Sequence, residues 1–413
     1  MGQIICLFED KEYTGLLPLT YTRPVYDLNC GILSLREKVK IRFPKSKIVL
    51  HSREYLTAVV KERNPEFKVN DLSGDSILFI NGRLVINNTI AKIISKLPED
   101  IILHNENGAI ALKLSRKYNN GDLLDEEGLV DLNKLDFLPK ENISATLIKY
   151  PWELINLNGS ELQNDFHLLT EKRKQQTTNN KFTVLKNRKH IFAHKDSVID
   201  PFVVLDASDG PVYIGKNVHI MPHVYVQGPV YIGDHSIIKS NATIYHNSSI
   251  GKVCKVGGEV ENSIINSYSN KQHDGFLGHS YLGSWINLGA GTNNSDLKNN
   301  YGIIDLHVNG KSVSSSLQFV GLIMGDHSKT AINTMFNTGT IVGVSCNIFG
   351  TGFPPRYIPS FTWGGSEWLR TYNLSKSKEV AAIVMSRRNI NLTESESALL
   401  DRVFELTSAE RKS

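Results

Sequence analysis

The chain has 413 residues, 40% hydrophobic and 21% charged, the balance of a globular protein long enough for two domains. Its 46 basic and 42 acidic residues leave a net charge of +4, too near balance for a nucleic-acid-binding footprint. No apolar run is long enough to span a bilayer, so neither nucleic acid nor membrane is an expected partner. The opening "MGQIICLFED" reaches acidic residues by position 9, which argues against a secretory leader, and Cys6 stands where a myristoylation signal needs Ser or Thr. Cys6, Cys30, Cys254 and Cys346 lack zinc-site spacing and point to a reduced, cytoplasmic setting.

Residues 1–168 read as an α/β domain. "IICLF" and "SILFI" are short buried strands, and "GILSLREKVKIRF" is an amphipathic helix start with Ile32, Leu35 and Val39 on one side. "NGRLVIN" and "NENGAIALKL" are strand–turn stretches punctuated by Asn-Gly. Residues 150–166 read as a helix closing this domain. The polar, basic run 170–182 falls in an expected linker over 169–190.

A repeat governs the next segment, expected as a β-helix domain over 191–360. "VYIG" at 212–215 returns at 230–233 and becomes "SSIG" at 248–251, each step 18 residues; Gly325 and Gly343 keep the same step. An aliphatic-Gly pair at a multiple of six marks a hexapeptide β-helix. Each six gives a short strand and a corner, three sixes close a triangular coil, and coils stack because none buries its inner face alone. The glycine is expected to let each corner turn without a Cβ clash. The register breaks after Gly251, and the two irregular stretches that follow are expected as loops on one side of the solenoid.

Between those loops stands "GHSYLGSWINLGAGT", residues 278–292. Gly283 and Gly289 follow leucines six apart and read as coil corners; no βαβ unit surrounds them, which excludes a dinucleotide fingerprint. On a strand, His279 and Tyr281 share a face. An imidazole beside a phenol, with Asn287 nearby, is suited to activating an acceptor, while a surface histidine satisfied by a loop carbonyl is the plainer alternative. A neutral imidazole suits proton abstraction near pH 7, and backbone N–H groups at a Gly-rich corner suit a developing oxyanion. The tail, 361–413, reads as a helical cap for the last coil. It has Val380, Ile383 and Val384 on one helix side and a capping box from Thr393 to Glu396.

The phrase "GHSYLGSWINLGAGT" followed by "NNSDLKNNYG" resembles the acyltransferase domain of GlmU-type bifunctional enzymes and their archaeal sugar-1-phosphate nucleotidylyltransferase relatives. The resemblance implies a left-handed β-helix, a homotrimer, acetyl-CoA as acyl donor and an amino-sugar phosphate as acceptor. It implies His279 as catalytic base, with Tyr281, Asn287, Asp296 and Lys298 as acceptor contacts. Ala290, Gly291 and Ala331 would line acetyl-CoA, the last in "GLIMGDHSKTAINTMFNTGTIVG". Two departures stand out: His-x-Tyr is one residue shorter than the family's spacing, and Asp296 replaces an Asn.

"LLPLTYTRPVYDL" likewise resembles the opening of sugar nucleotidyltransferases, closest to a divergent subgroup that joins this Rossmann-like domain to a GlmU-like β-helix. That implies an NTP and Mg²⁺ near Glu9, Asp10, Arg23 and Arg83. Here the departures go deeper. The loop "EDKEYTG" has one glycine, Gly15 stands at the loop arginine, Val25 at the lysine, and Arg83 at the metal-binding Asp. A protein that binds or scaffolds sugar nucleotides without nucleotidyl turnover is therefore the competing reading. A γ-carbonic-anhydrase-like zinc site ranks last, because His219, His223 and His246 lack its spacing.

Overall fold

The structure is a computed structural model that describes residues 3–118, 123–171 and 181–411. It resolves into two compact units. The first comprises residues 1–28, 33–150 and 393–402; the second comprises 29–32, 151–392 and 403–413. Of the linker expected over 169–190, residues 172–180 lie outside the described residues, while Val184–Lys186 already pairs with Val204–Asp206 as a strand of the second unit.

The first unit is a seven-stranded mixed sheet. Ile4–Phe8 lies at its centre, between parallel neighbours Lys47–Leu50 and Ser76–Asn81. The stretch read as strand–turn becomes a hairpin, Ile101–Asn105 against Gly108–Ser115, and Lys140–Asn142 pairs outside it as the edge strand. Cys6, Phe8, Ile77, Phe79, Ile102, Leu112 and Leu114 form one apolar cluster on the sheet. The expected helix is shorter than its sequence pattern, Leu35–Arg42. It starts where Ser34 and Glu37 make a reciprocal capping box, and it buries Leu35 and Val39. The three central parallel strands all end beside Glu9, His51 and Arg83, at the carboxyl edge where α/β sheets bind ligands.

The second unit is a left-handed parallel β-helix. Its longest sheet has nine strands, and its inward residues stack in one column: Ile214, Ile232, Ile250, Ile265, Leu282, Met324, Val342 and Ile358. The column passes the point where the sequence period fails, because shortened coils and an excursion between Leu282 and Leu322 keep the stack while spoiling the count. Buried serines repair the ladder at one corner. Ser236 Oγ donates to Gly251 O and accepts from Cys254 N–H; Ser328 repeats the pattern with Gly343 O and Cys346 N–H. Burial raises the Cys254 and Cys346 thiols to about 12, so neither is a nucleophile near neutrality. Lys271 brings a cation to an inward position: 2% exposed, it donates from Nζ to Gly257 O and His273 O. Burial lowers it to about 8.

The repeat glycines serve a purpose other than the one expected. The left-handed residue at this corner is not Gly215, Gly233 or Gly251 but Asn217, His235 or Val253, at φ +54°, +61° and +58°. The glycines are where adjacent coils come closest: a Cβ at Gly233 would sit 2.6 Å from the carbonyl carbon of Gly251. Backbone cannot yield as a side chain does. Gly233→Ala is expected to cost about 1–3 kcal/mol in urea unfolding. Gly302→Ala, which meets only the Asn300 side chain, is the control and should fall within about 0.5 kcal/mol of wild type.

The helix expected to close the first domain forms at Pro151–Thr170 but belongs to the second unit. Asn158 is its anchor: Nδ2 donates to Asn247 O, and Oδ1 accepts from Ser249 Oγ and from Gly31 N–H. Phe166 packs edge-on against Tyr213. The helix thus covers outward residues of the nine-stranded sheet, and its apolar side faces a β-helix rather than a sheet of the first unit. At the other end the last residues of the tail pack on the last coil. Phe404 packs on Phe361, Arg411 donates to Ser360 O, and Glu410 accepts from Tyr357 Oη. The capping box forms at Thr393 and Glu396, within the segment assigned to the first unit.

Candidate functional site

His279 lies between the strand Phe276–Gly278 and the strand Tyr281–Leu282. Its backbone is left-handed, φ +42°, which breaks the alternation that would put it on the face of Tyr281. Nδ1 is 2.8 Å from Asp296 Oδ2, and the ring stacks on Phe319 at 5.0 Å. Gly278 makes this approach possible, since a Cβ there would lie 2.3 Å from the Asp296 carboxylate. Asn294 fixes the same spot: its Oδ1 accepts Gly278 N–H and its Nδ2 donates to Gly278 O. The excursion carrying Asp296 is tied back by a bridge from Leu297 to Phe319 and by Val320 N–H donating to Asp296 O. With Nδ1–H donated to a carboxylate, Nε2 is the basic nitrogen of the neutral ring. Asp296 was expected at the acceptor; its carboxylate is engaged with His279 instead.

Tyr281 does not join this site. It is fully buried, and its hydroxyl accepts from Asn29 N–H and donates to Asn29 O. Tyr281 was expected at the acceptor; its hydroxyl is engaged with Asn29 instead. Asn287 stands on a different face, bridging Asn270 and Lys329 across the coils. Ala290 lies close by, where its carbonyl accepts Asn333 N–H, and a Cβ at Gly289 would touch Ala331 at 2.4 Å. Asn287, Ala290, Gly291 and Ala331 therefore gather at one corner, and His279 with Asp296 at another. At the glycine corner, Gly289 N–H donates to Thr330 Oγ1 and Gly291 N–H to Asp274 O, so those two amides are not free oxyanion donors.

Lys298 lines a cleft of about 460 Å³ with Ser295, Asn300, Thr338 and Arg356. Lys298 Nζ donates to Ile303 O, and Arg356 donates to Thr338 O and Asp305 O. Backbone carbonyls thus orient two cations in a cleft lined by no carboxylate. Phe319 and Arg356 have no counterpart in the sequence reading. Neither carries a local pattern: Phe319 lies in the excursion before Leu322, and Arg356 in the connection between Asn347–Ile348 and Tyr357–Ile358.

In the first unit the four expected residues separate. Asp10 takes a forked contact from Arg83: Nε to Oδ1 at 2.9 Å and Nη2 to Oδ2 at 2.7 Å. Asn81 Nδ2 adds a third donor. Glu9 is paired with Arg53, a residue the sequence reading missed, through Nε to Oε2 at 3.2 Å and Nη2 to Oε1 at 3.3 Å. Arg23 gives its carbonyl to Arg53 and its charge to the surroundings of Asp27. A cavity of about 370 Å³ opens beside Asp10 and Arg83, bordered by Lys11, Asn107, Asn133 and Lys149. Among the described residues no cluster of three or more His, Cys, Asp or Glu is arranged to hold a metal ion. Nor is any helix long and apolar enough to cross a membrane.

An α/β unit with a ligand cavity at its strand ends, followed by a β-helix with a carboxylate-oriented histidine, defines a two-part transferase. Residues 5–174 match the family model for sugar nucleotidyl transferase, and residues 211–246 match the bacterial transferase hexapeptide repeats. In this domain order, a sugar nucleotidyltransferase match followed by hexapeptide repeats, the chain is similar to GlmU-type bifunctional proteins. A bifunctional sugar-1-phosphate nucleotidylyltransferase/acetyltransferase of Sulfurisphaera tokodaii is 24% identical over 387 residues, spanning 81% of this chain and 92% of that protein. The bifunctional protein GlmU of Methanococcus aeolicus is 23% identical over 66% of this chain and 70% of its own length. That of Methanocaldococcus jannaschii is 31% identical, over 33% of this chain and 31% of its own.

Proposed function

We propose that the β-helix unit transfers an acetyl group from acetyl-CoA to the amine of an amino-sugar phosphate in the cytoplasm. The observation that carries this reading is the His279–Asp296 pair beside a cleft holding Lys298 and Arg356 without a carboxylate. The two cations suit the acceptor's phosphate. The amine nitrogen attacks the thioester carbonyl, His279 Nε2 takes the amine proton, the C–S bond breaks, and the CoA thiolate leaves with a proton returned from the imidazolium. Asn287, Ala290, Gly291 and Ala331 suit the acetyl-CoA side. They stand at a corner remote in the coil from His279, so a second copy must bring that corner to the histidine. A homotrimer, the assembly the resemblance implies, supplies such a juxtaposition.

The test mixes the full chain with acetyl-CoA and a panel of amino-sugar phosphates while following thiol release. Activity with a phosphorylated amino sugar, weaker with its unphosphorylated form, supports the reading. No thiol release across the panel removes it. Light scattering at micromolar concentration is expected to give three chains; a monomer would sink the shared site.

A second reading concerns the first unit. The pairing of Glu9 and Asp10 with buried arginines favours a domain that binds a sugar-nucleotide-like ligand over one that turns over NTPs.

A further inference from the structure

Relatives of the first unit imply a divalent metal ion at the ends of the central strands. The residues present do not fit one. Both acids that follow the strand Ile4–Phe8 are spent on guanidinium groups. Asp10 accepts from Nε and Nη2 of Arg83 and from Asn81 Nδ2, so both of its oxygens are occupied in a site where Asp10 is 8% exposed. Glu9 is fully buried, with both oxygens turned to Arg53 and one also taking Val25 N–H. Arg83 itself is 1% exposed. Nη1 and Nη2 also donate to Ile148 O and Asn107 O, so four of the five guanidinium N–H groups are engaged. A metal needs open carboxylate lone pairs and exchangeable positions; this geometry offers neither.

We infer that the Arg83 guanidinium is a resident cation, permanently occupying the carboxylate position where a divalent ion would otherwise bind. This goes beyond the acyl-transfer reading and does not depend on it. The cavity's own charges agree. Four carboxylates, Asp10, Glu12, Glu106 and Asp131, border it against three basic side chains, and Lys11 is shared with Asp125 at 3.5 Å. Such a lining repels a triphosphate that arrives without its metal. The unit therefore keeps the shape of a nucleotide-sugar site but takes ligands independently of divalent ions.

The experiment titrates the full-length protein with Mn²⁺ and reads the free ion by electron paramagnetic resonance. The wild-type chain is expected to leave the free Mn²⁺ signal undiminished. Arg83→Gln frees Asp10 and is expected to bind one Mn²⁺ per chain, and Arg83→Gln with Asp10→Asn to lose it again. Stoichiometric binding by the wild-type chain, abolished by Asp10→Asn alone, overturns the inference. So does a folded Arg83→Gln chain that binds no Mn²⁺. Should Arg83→Gln fail to fold, the wild-type and Asp10→Asn titrations decide the matter by themselves. Thiol release from acetyl-CoA is read separately, so failure of the acyl-transfer proposal is not confused with failure here.

Discussion

His279→Ala is expected to reduce acyl transfer by about 10²- to 10⁴-fold, the contribution of a positioned general base. The β-helix should stay folded, because His279 lies outside the aliphatic column at the core. Asp296→Asn should act in the same direction through kcat, with KM little changed. Its oxygen no longer carries the charge that fixes Nδ1 as the protonated nitrogen. An equivalent change in a Ser–His–Asp triad costs about 10⁴-fold. Tyr281→Phe separates this site from the arrangement the sequence suggested. Its hydroxyl serves Asn29, so the change should lower stability by about 1 kcal/mol while leaving the rate per folded chain near wild type. Steady-state thiol release with each purified variant checks all three. A His279→Ala rate within a few-fold of wild type would remove the histidine from the reaction. A collapse of kcat in Tyr281→Phe would restore the phenol to it.

What could be read from the sequence follows from where the physics is periodic. The β-helix was legible because coil closure forces one inward aliphatic per turn, and Ile214, Ile232 and Ile250 display that period without interruption. Beyond Gly251 the stack continues through Ile265, Leu282 and Met324, but insertions between coils hide it from any fixed step. His279 was recognisable from its surrounding phrase. Its geometry was not, because strand alternation assumes φ < 0 and the residue sits at +42°. Asp296 was visible only as a departure from the expected Asn, and its partnership with His279 spans 17 positions that no local rule connects. The helix Pro151–Thr170 was found, but an amphipathic pattern says that a face is buried, not against what. In the first unit Glu9, Asp10 and Arg83 stood out in the sequence, and the structure pairs Asp10 with Arg83. Arg53 did not stand out, since a partner 44 positions from Glu9 leaves no trace in spacing.

Arg53→Ala is expected to be among the most damaging single substitutions in the first unit, at about 3–5 kcal/mol. That is a large share of a stability that rarely exceeds about 15 kcal/mol. Arg53 holds Glu9, donates to Thr20 O and Arg23 O, bonds Tyr55 Oη, and lies 3.9 Å over the Tyr13 ring. Through these contacts it ties the end of the first strand to the loop that follows it. Its removal leaves a carboxylate in a fully buried position with only backbone N–H groups to meet it. Burial already pushes Glu9 above its usual value, and Arg53 pulls it back. Without Arg53 the upward push is unopposed by any cation. A carboxyl raised in the folded state destabilises when ionised, so the penalty of Arg53→Ala should be greatest near neutrality. It should shrink as pH falls toward the ordinary carboxylate value of about 4.3. Removing the acid as well, in Glu9→Gln with Arg53→Met, should recover most of the loss, because two uncharged side chains of similar volume leave no stranded charge. All four tryptophans lie in the second unit, so hydrogen exchange at Ile77–Ile80 is the measurement that isolates the first. An Arg53→Ala chain whose protection there is unchanged, or whose loss grows toward acid, would show that the pair does not hold this edge of the sheet together.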